Sequence, residues 1–167
     1  MHSIIHIREL SDSDQDEVIG LILPIQQQEF GLPITLHDQP DLCNISQFYL
    51  EPGGTFLGAF SGQDLVGSIA LVKAAGETGA IRKMFVHRDF RGKLFGIAQT
   101  LIEKLIAHAQ QSGIKNLYLG TVEPMKAAHR FYERNGFRRI QASQLPPEFP
   151  RAKTDTLFFH RGLDVQT

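Results

Sequence analysis

The sequence has few of the residues that build disulfides and metal sites. It contains a single cysteine, Cys43, so an internal disulfide is excluded. Its seven histidines are scattered, and the one pair that stands four residues apart, His2 and His6, lies at the start of a predicted strand rather than on a helix, where zinc ligands usually show that spacing. We therefore expect no metal site.

The chain also lacks an excess of charge of one sign and a long apolar run. Its 17 lysines and arginines and 18 aspartates and glutamates give a formal net charge of -1, which argues against a general binder of nucleic acid or of membrane surfaces. No apolar run approaches the roughly 18 residues that cross a bilayer. The start, "MHSIIHIREL", has none of the regions of a signal peptide. These features predict a cytoplasmic protein with neither nucleic acid nor membrane as a partner.

The composition is that of a globular domain. With 167 residues, 42% of them hydrophobic, the chain can bury one core, and we predict a single domain over residues 1–167. Two strand patterns, "TFLGAF" and "LVGSIALVKA", flank the turn "SGQD" and predict a hairpin. Farther along, Ile97, Leu101 and Leu105 recur at helical spacing. The alternation of strands and helices predicts a mixed α/β sheet.

A local basic segment precedes that helix. Between Arg82 and Lys93 there are five cations and one carboxylate, Asp89, so the segment carries about +4. Gly92 and Gly96 lack a Cβ where the free N–H groups of a helix start attract an anion. A pyrophosphate site fits these residues. From charge and glycine alone, a plain helix start after a polar turn explains them equally well.

Two motifs favour the anion site. The dinucleotide and P-loop spellings, G-x-G-x-x-G and G-x-x-x-x-G-K-[ST], do not occur. Residues 91–98, "RGKLFGIA", resemble the acyl-CoA-binding signature Q/R-x-x-G-x-G/A of the GNAT superfamily of N-acetyltransferases. Residues 127–137, "AAHRFYERNGF", resemble the second hallmark of that superfamily, an alanine followed by an aromatic residue, a tyrosine and x-x-G-F. The stretches "QQQEFGLPITLHDQPDL" and "LPPEFPRAKTDTLFF" are similar to a bacterial subgroup of that family whose substrate is unknown.

The resemblance implies a fold and a cofactor. The fold would be a mixed sheet of about seven strands flanked by about four helices, splayed between the fourth and fifth strands, residues 81–87 and 116–121. Acetyl-CoA would be the acetyl donor, with its pyrophosphate on the helix start and its pantetheine arm along the fourth strand. The implied cofactor-binding residues are Met84, Phe85, Val86, Arg91, Gly92, Lys93, Leu94, Phe95, Gly96, Ile97 and Ala98.

Three positions depart from the family pattern. Lys93 stands where the signature has Gln or Arg, which keeps the cation but changes its hydrogen-bond geometry. Met125 stands where many relatives have an asparagine that holds the pantetheine arm, so that contact is not carried over. Ala80 lies near the place of a glutamate base in some relatives. The resemblance therefore implies no base.

Tyr132 is the predicted catalytic acid. In the chemistry that the resemblance implies, an amine attacks the acetyl thioester and the leaving thiolate must be protonated. A phenol with an ordinary pKa near 10 stays protonated and can supply that proton. A packed aromatic residue beside Phe131 is the alternative role. The base stays unassigned among four candidates, Glu77, His87, Glu123 and His129.

The acceptor amine is the part of the predicted reaction that the sequence determines least. It is a small molecule or a peptide, and the predicted substrate-binding residues are Glu29 and Asp38, in the segment before the hairpin. These carboxylates would favour a cationic acceptor, although solvated loop residues explain them equally well. The alternative function is a non-catalytic acyl-CoA-binding regulatory module. Assembly as a monomer or a homodimer is left open.

Overall fold

Strands and helices follow one another in mixed order along the chain. The computed structural model describes residues 4–152 and 154–164. The strands are β1 (Ile5–Glu9), β2 (Thr55–Ser61), β3 (Asp64–Lys73), β4 (Thr78–Val86), β5 (Asn116–Thr121), β6 (Arg138–Ile140) and β7 (Leu157–Gly162). The helices are α1 (Gln15–Pro24), α2 (Ile97–Gln111), α3 (Lys126–Arg134) and a short π-helical segment, Ser46–Leu50. No helix among the described residues is both long and apolar enough to cross a membrane.

The seven strands form one sheet in the order β1-β2-β3-β4-β5-β7-β6. β4 and β5 are parallel, and every other neighbouring pair is antiparallel. The predicted mixed sheet with flanking helices is confirmed.

The sheet opens between β4 and β5. These strands pair from Thr78 opposite Asn116 to Ile81 opposite Leu119 and no farther. β4 continues to Val86 and β5 to Thr121, so their carboxyl ends diverge. The predicted splay is confirmed, and it leaves an unpaired backbone edge on each strand at that point.

Helices cover both faces of the sheet because neighbouring strand residues point to opposite sides. Ile69 and Leu71 of β3 pack in the cluster that contains α2, whereas Ala70 packs in the cluster that contains α1. A Cβ on Gly67 would lie 2.9 Å from the Ile97 side chain, so the first turn of α2 rests directly on β3. This contact holds the start of α2 beside the end of β4.

Proline does not end the first helix. α1 runs through Pro24 and continues as a π-helical turn, Ile25–Glu29. The wider turn accommodates a residue that cannot donate an N–H to the helix.

Candidate active site

A bulge in β4 shapes the site. Lys83 and Met84 together lie opposite Ile69 of β3, and Lys83 has a φ of 55°. The Ser68 hydroxyl donates to the Lys83 carbonyl oxygen at 2.7 Å and supports this left-handed conformation. Bulges turn side chains in new directions. Here the residues at the end of β4 reach cavities on both sides of the splay.

Two cavities meet at the splayed strands. One, the α2 cavity, has about 680 Å³ and lies between the end of β4, the start of α2 and α3. The other, the arginine cavity, has about 720 Å³ and is lined by residues that include Arg82 and Arg151. The residues that line both are Met84, Phe85, Met125, Ala128 and Tyr132. A molecule bound in one cavity can therefore reach a molecule bound in the other.

The start of α2 is open to the α2 cavity. Gly96 is the N-cap with a φ of 60°, and Gly92 has a φ of 102°. A Cβ on Gly92 would meet no atom within 4 Å, and one on Gly96 would meet only the Lys93 carbonyl oxygen, at 4.0 Å. Backbone N–H groups at such a helix start suit a phosphate.

Most of the predicted cofactor-binding residues line the α2 cavity. Leu94 and Phe95 do not: Leu94 is 73% exposed, and the Phe95 ring packs 5.3 Å from that of Phe90. Those that do are Met84, Phe85, Val86, Arg91, Gly92, Lys93, Gly96, Ile97 and Ala98.

Arg91 links this cavity to the end of the first helix. Its Nε donates to the Val86 carbonyl oxygen at 2.8 Å, and its two Nη atoms bond both carboxylate oxygens of Glu29, at 2.5 and 2.8 Å. These bonds lower the pKa of Glu29. Glu29 lines neither cavity, whereas Asp38 lines the arginine cavity and accepts hydrogen bonds from the N–H and the hydroxyl of Thr35.

The arginine cavity has more cations than carboxylates along its wall. Neither Arg82 nor Arg151 has a described carboxylate within 4.0 Å. The Arg151 guanidinium lies 4.9 Å from the centre of the Phe158 ring. The charged side chains on the described wall are Arg82, Lys83, Arg151, Asp38 and Asp155. Two guanidinium groups that have no carboxylate partner in the described part of the chain make this wall suitable for an anionic group.

Lys83 is the buried cation of this wall. Its ammonium donates to the Gln39 side-chain oxygen and lies 3.7 Å from Asp41, which also accepts a 2.5 Å hydrogen bond from Tyr49. The Lys83 side chain is only 6% exposed. Burial lowers the pKa of Lys83 to about 8, and the nearby Asp41 opposes this effect.

Stability is expected to rise with pH while Lys83 titrates. Its pKa of about 8 in the folded protein lies below the ordinary value of 10.5, so between these values the unfolded chain binds the extra proton and loss of protons favours folding. The free energy of unfolding should rise by about 1 kcal/mol per pH unit from pH 8 to pH 10. Urea unfolding at several pH values measures this slope. Lys83→Met should remove it, whereas Lys104→Met, on the exposed face of α2, should keep it; equal slopes in all three proteins would contradict the expectation.

Tyr132 lies where the two cavities meet. It is 5% exposed, and its ring contacts those of Phe131, Phe137 and Phe159. Its hydroxyl bonds no described side chain or backbone group, and no buried side-chain oxygen in the described part of the chain is left unsatisfied, so the oxygen must reach the cavity. Burial raises the pKa of Tyr132 above its ordinary value, and Asp155 raises it further.

The four candidate bases lie outside both cavities. Glu77 pairs with Lys115 at 3.1 Å, and Glu123 pairs with Lys126 at 3.0 Å. His87 accepts the Asp89 N–H through Nδ1. His129 contacts the Val122 carbonyl oxygen at 2.9 Å. Sequence reasoning did not find Arg82, Arg151 and Asp155 as a group, because no motif joins them and only the fold brings them to one cavity.

Comparison with known proteins identifies this arrangement. The model of the acetyltransferase (GNAT) family matches residues 15–137. The chain belongs to this family. Acetyl-CoA is the acetyl donor of GNAT enzymes, and the acceptor is an amine. Membership favours an enzyme over the non-catalytic acyl-CoA-binding module.

Two crystal structures agree with this fold. The crystal structure of a GNAT-family acetyltransferase from Staphylococcus aureus Mu50 is 38% identical, has a TM-score of 0.92, and covers 96% of this chain and 100% of its own. The PaiA N-acetyltransferase of Thermoplasma acidophilum, crystallised with coenzyme A, shares the fold at 19% identity and a TM-score of 0.71, with 96% of this chain and 99% of its own covered.

A curated relative is the N-acetylaspartate synthetase of Danio rerio, 33% identical over 124 residues. The match covers 71% of this chain and 43% of that protein. The chain therefore spans less than half the length of this relative.

Proposed function

We propose that this protein transfers the acetyl group of acetyl-CoA to the amine of an acceptor that also bears carboxylates, with dicarboxylic amino acids as the first candidates. The observation that carries the proposal is the pair of guanidinium groups, Arg82 and Arg151, on the wall of the cavity that also contains Tyr132. Neither has a described carboxylate partner within 4.0 Å. An arginine binds a carboxylate through two parallel hydrogen bonds, so two arginines suit an acceptor with two carboxylates.

The name of one relative supports the same class of acceptor. N-acetylaspartate is a dicarboxylic amino acid acetylated on its amine, and the synthetase that carries this name is 33% identical over the matched 124 residues. The acceptor class is thus supported by both the charge of the cavity and the relative.

The proposed acceptor is anionic, whereas Glu29 and Asp38 suggested a cationic acceptor from the sequence. Glu29 is bonded to Arg91 outside the cavity, and Asp38 is bonded to Thr35 on its wall. A carboxylate that already accepts hydrogen bonds has less capacity to attract a cationic amine. The two guanidinium groups then decide the preference.

The α2 cavity is our proposed site for acetyl-CoA. Free backbone N–H groups at the start of α2 would face the pyrophosphate, and Lys93 adds positive charge, whereas Arg91 is already paired with Glu29. Beyond Ile81, the edge of β4 that faces β5 is unpaired among the described residues and can bind the pantetheine amides as an added strand would. Met125 stands where many relatives have an asparagine, and the Thr121 hydroxyl, 3.8 Å from the Met125 sulfur, is our proposed replacement donor.

Tyr132 is our proposed acid. It lines both cavities, so its hydroxyl can reach the thioester sulfur while the acceptor occupies the arginine cavity. The raised pKa keeps this phenol protonated across the neutral range, and the developing thiolate can take its proton.

The proposal predicts how acceptors rank. We expect L-aspartate and L-glutamate to give the highest kcat/KM in a panel with L-leucine, glycine and spermidine, measured as release of free thiol from acetyl-CoA. Arg82→Gln and Arg151→Gln should each raise KM for the dicarboxylic acceptor about 10- to 100-fold, the usual cost of losing a charged hydrogen bond. Arg138→Gln, on the exposed edge strand, is the matched control and should leave KM unchanged. If spermidine ranks first, or if the cavity arginines can be replaced without a change of ranking, the proposed acceptor class is wrong.

A further inference from the structure

We infer that Asp155 is a further catalytic residue, the base that takes a proton from the acceptor's ammonium group. The inference rests on the proposed acetyl transfer at the junction of the two cavities. It assigns a role that neither the sequence motifs nor the relatives supply.

The fold holds Asp155 at the point where the sheet opens. The N–H of the next residue, Thr156, donates to the Thr121 carbonyl oxygen at 2.9 Å, which ties this loop to the end of β5. The carboxylate lies against Gly120: a Cβ there would be 2.2 Å from Oδ2 of Asp155. Gly120 directly follows Leu119, the last β5 residue that pairs with β4. The absence of a side chain at Gly120 is what lets the carboxylate lie at the splay.

The two oxygens of Asp155 have different surroundings. Oδ2 accepts the Ala152 N–H at 3.1 Å, which fixes the side chain on its own loop. Oδ1 accepts no hydrogen bond from a described residue, yet no buried side-chain oxygen in residues 4–152 and 154–164 lacks a partner. Oδ1 must therefore be open to the arginine cavity, which Asp155 lines together with Tyr132. A base needs a free lone pair on the side of its substrate.

Charged and titratable groups face Asp155 from each neighbouring element. Arg82 and Lys83 approach from β4, Arg151 from its own loop, and Tyr132 from α3, while Gly120 of β5 adds no charge. Burial raises the pKa of Asp155, and the hydrogen bond from Ala152 and the three cations oppose this rise. The result is a carboxylate that is more basic than an exposed aspartate, as proton abstraction requires.

The other carboxylate on the described wall has a different environment. Asp38 accepts two hydrogen bonds from Thr35, both to its Oδ2, on the segment before the hairpin. It therefore provides a matched control in the same cavity. Of the two carboxylates on the described wall of the cavity, only Asp155 lies at the splay and raises the pKa of Tyr132.

The proposed step balances as follows in bonds and protons. Asp155 takes one proton from the acceptor's ammonium, and the freed amine attacks the thioester carbon, where the C–N bond forms. As the C–S bond breaks, Tyr132 gives its proton to the sulfur and recovers one from the acetylated nitrogen. Asp155 finally releases its proton to solvent, so each turnover yields an amide, a free thiol and one proton.

The decisive experiment compares two amines in Asp155→Asn. The first is whichever acceptor of the panel has the highest kcat/KM, so the test does not depend on the proposed charge preference. The second is the analogue of that acceptor with two fluorines on the carbon next to the amine-bearing carbon. These electron-withdrawing fluorines lower the pKa of the amine and leave it mostly unprotonated at pH 8. We expect kcat/KM to fall about 10²-fold for the first amine, the lower end of the scale for a proton-transfer group, and less than about threefold for the second. Asp38→Asn should leave the ratio of the two amines at the wild-type value.

The pH profile supplies a second readout. In the wild type, kcat/KM should fall as pH falls through the raised pKa of Asp155, because the protonated carboxyl cannot accept a proton. Asp155→Asn should lose this limb. Asparagine can still accept the Ala152 N–H, so a residue that only holds the loop would not move the profile.

A second variant tests the same role of the Asp155 carboxylate without replacing Asp155, so the test does not depend on the folding of Asp155→Asn alone. Gly120→Ala puts a methyl group where the carboxylate lies, and it should produce the same selective loss for the protonated amine. Acetyl-CoA affinity, measured by titration calorimetry, should stay at the wild-type value in both variants. Unchanged kcat/KM in Asp155→Asn, or equal losses for the two amines, would overturn the inference and leave Asp155 a binding or structural residue.

Discussion

Gly96→Asp is expected to abolish acetyl-CoA binding in a protein that stays folded. Gly96 is the N-cap of α2 with a φ of 60°, a conformation that aspartate tolerates better than most residues, and aspartate is also a favoured N-cap. The new carboxylate would therefore satisfy the helix start itself and occupy the place of the pyrophosphate. Competition for the same N–H groups and repulsion between like charges should weaken binding by at least about 10³-fold. Titration calorimetry with acetyl-CoA measures the loss.

Two variants separate the causes of that loss. Gly96→Asn has nearly the same size and tolerance of the left-handed conformation but no charge, so it should lose much less affinity than Gly96→Asp. Gly62→Asp makes the same chemical change at a φ of 62°, in the open turn between β2 and β3, and should bind as the wild type does. If Gly96→Asp also binds normally, the pyrophosphate lies elsewhere and the proposed cofactor site is wrong.

The open, glycine-rich start of α2, our proposed cofactor site, could be predicted because its determinants are local in sequence. The glycines, the cations and the first apolar positions of α2 lie within a few residues of one another, so one motif describes the whole helix start. The splay followed from the family resemblance, and the structure sets its limit at Ile81 and Leu119. The direction of the N–H groups at a helix start is a property of the backbone, and glycine spacing indicates the backbone conformation directly.

The arginine cavity, our proposed acceptor site, could be predicted much less well because its residues are distant in sequence. Arg91 reaches Glu29 across 62 positions, a contact that removes Glu29 from the list of free loop carboxylates. In the bulge that brings Lys83 into the arginine cavity, a non-glycine residue has a positive φ. The stretch "IRKMFV" contains no glycine, proline or asparagine that would predict this bulge. Asp155 meets Gly120 only because β7 folds back beside β5. Such long-range contacts depend on tertiary packing, which hydrophobic periodicity and secondary-structure propensity do not describe.

Tyr132→Phe is expected to lower kcat by about 10²- to 10³-fold while acetyl-CoA affinity stays the same. The ring packs among three phenylalanines, and phenylalanine can fill the same space. The hydroxyl bonds no described group, so its removal should cost no folding stability, and the thermal midpoint should be equal or higher. Tyr118→Phe is the matched control, since Tyr118 lies on β5 but lines neither cavity, and its turnover should be that of the wild type.

The same pair of amines that tests Asp155 distinguishes the acid from the base. The acid acts on the leaving thiolate, which is identical for every acceptor, so Tyr132→Phe should slow the parent amine and its difluorinated analogue by similar factors. A base acts on the amine's own proton, so its loss should affect the protonated amine alone. The raised pKa of Tyr132 also predicts that the phenol keeps its proton past pH 10, so the wild-type rate should show no fall from this group as pH rises to that value. Full turnover in Tyr132→Phe would return the tyrosine to a packing role, and a loss confined to the protonated amine would instead place it, rather than Asp155, on the path of the acceptor's proton.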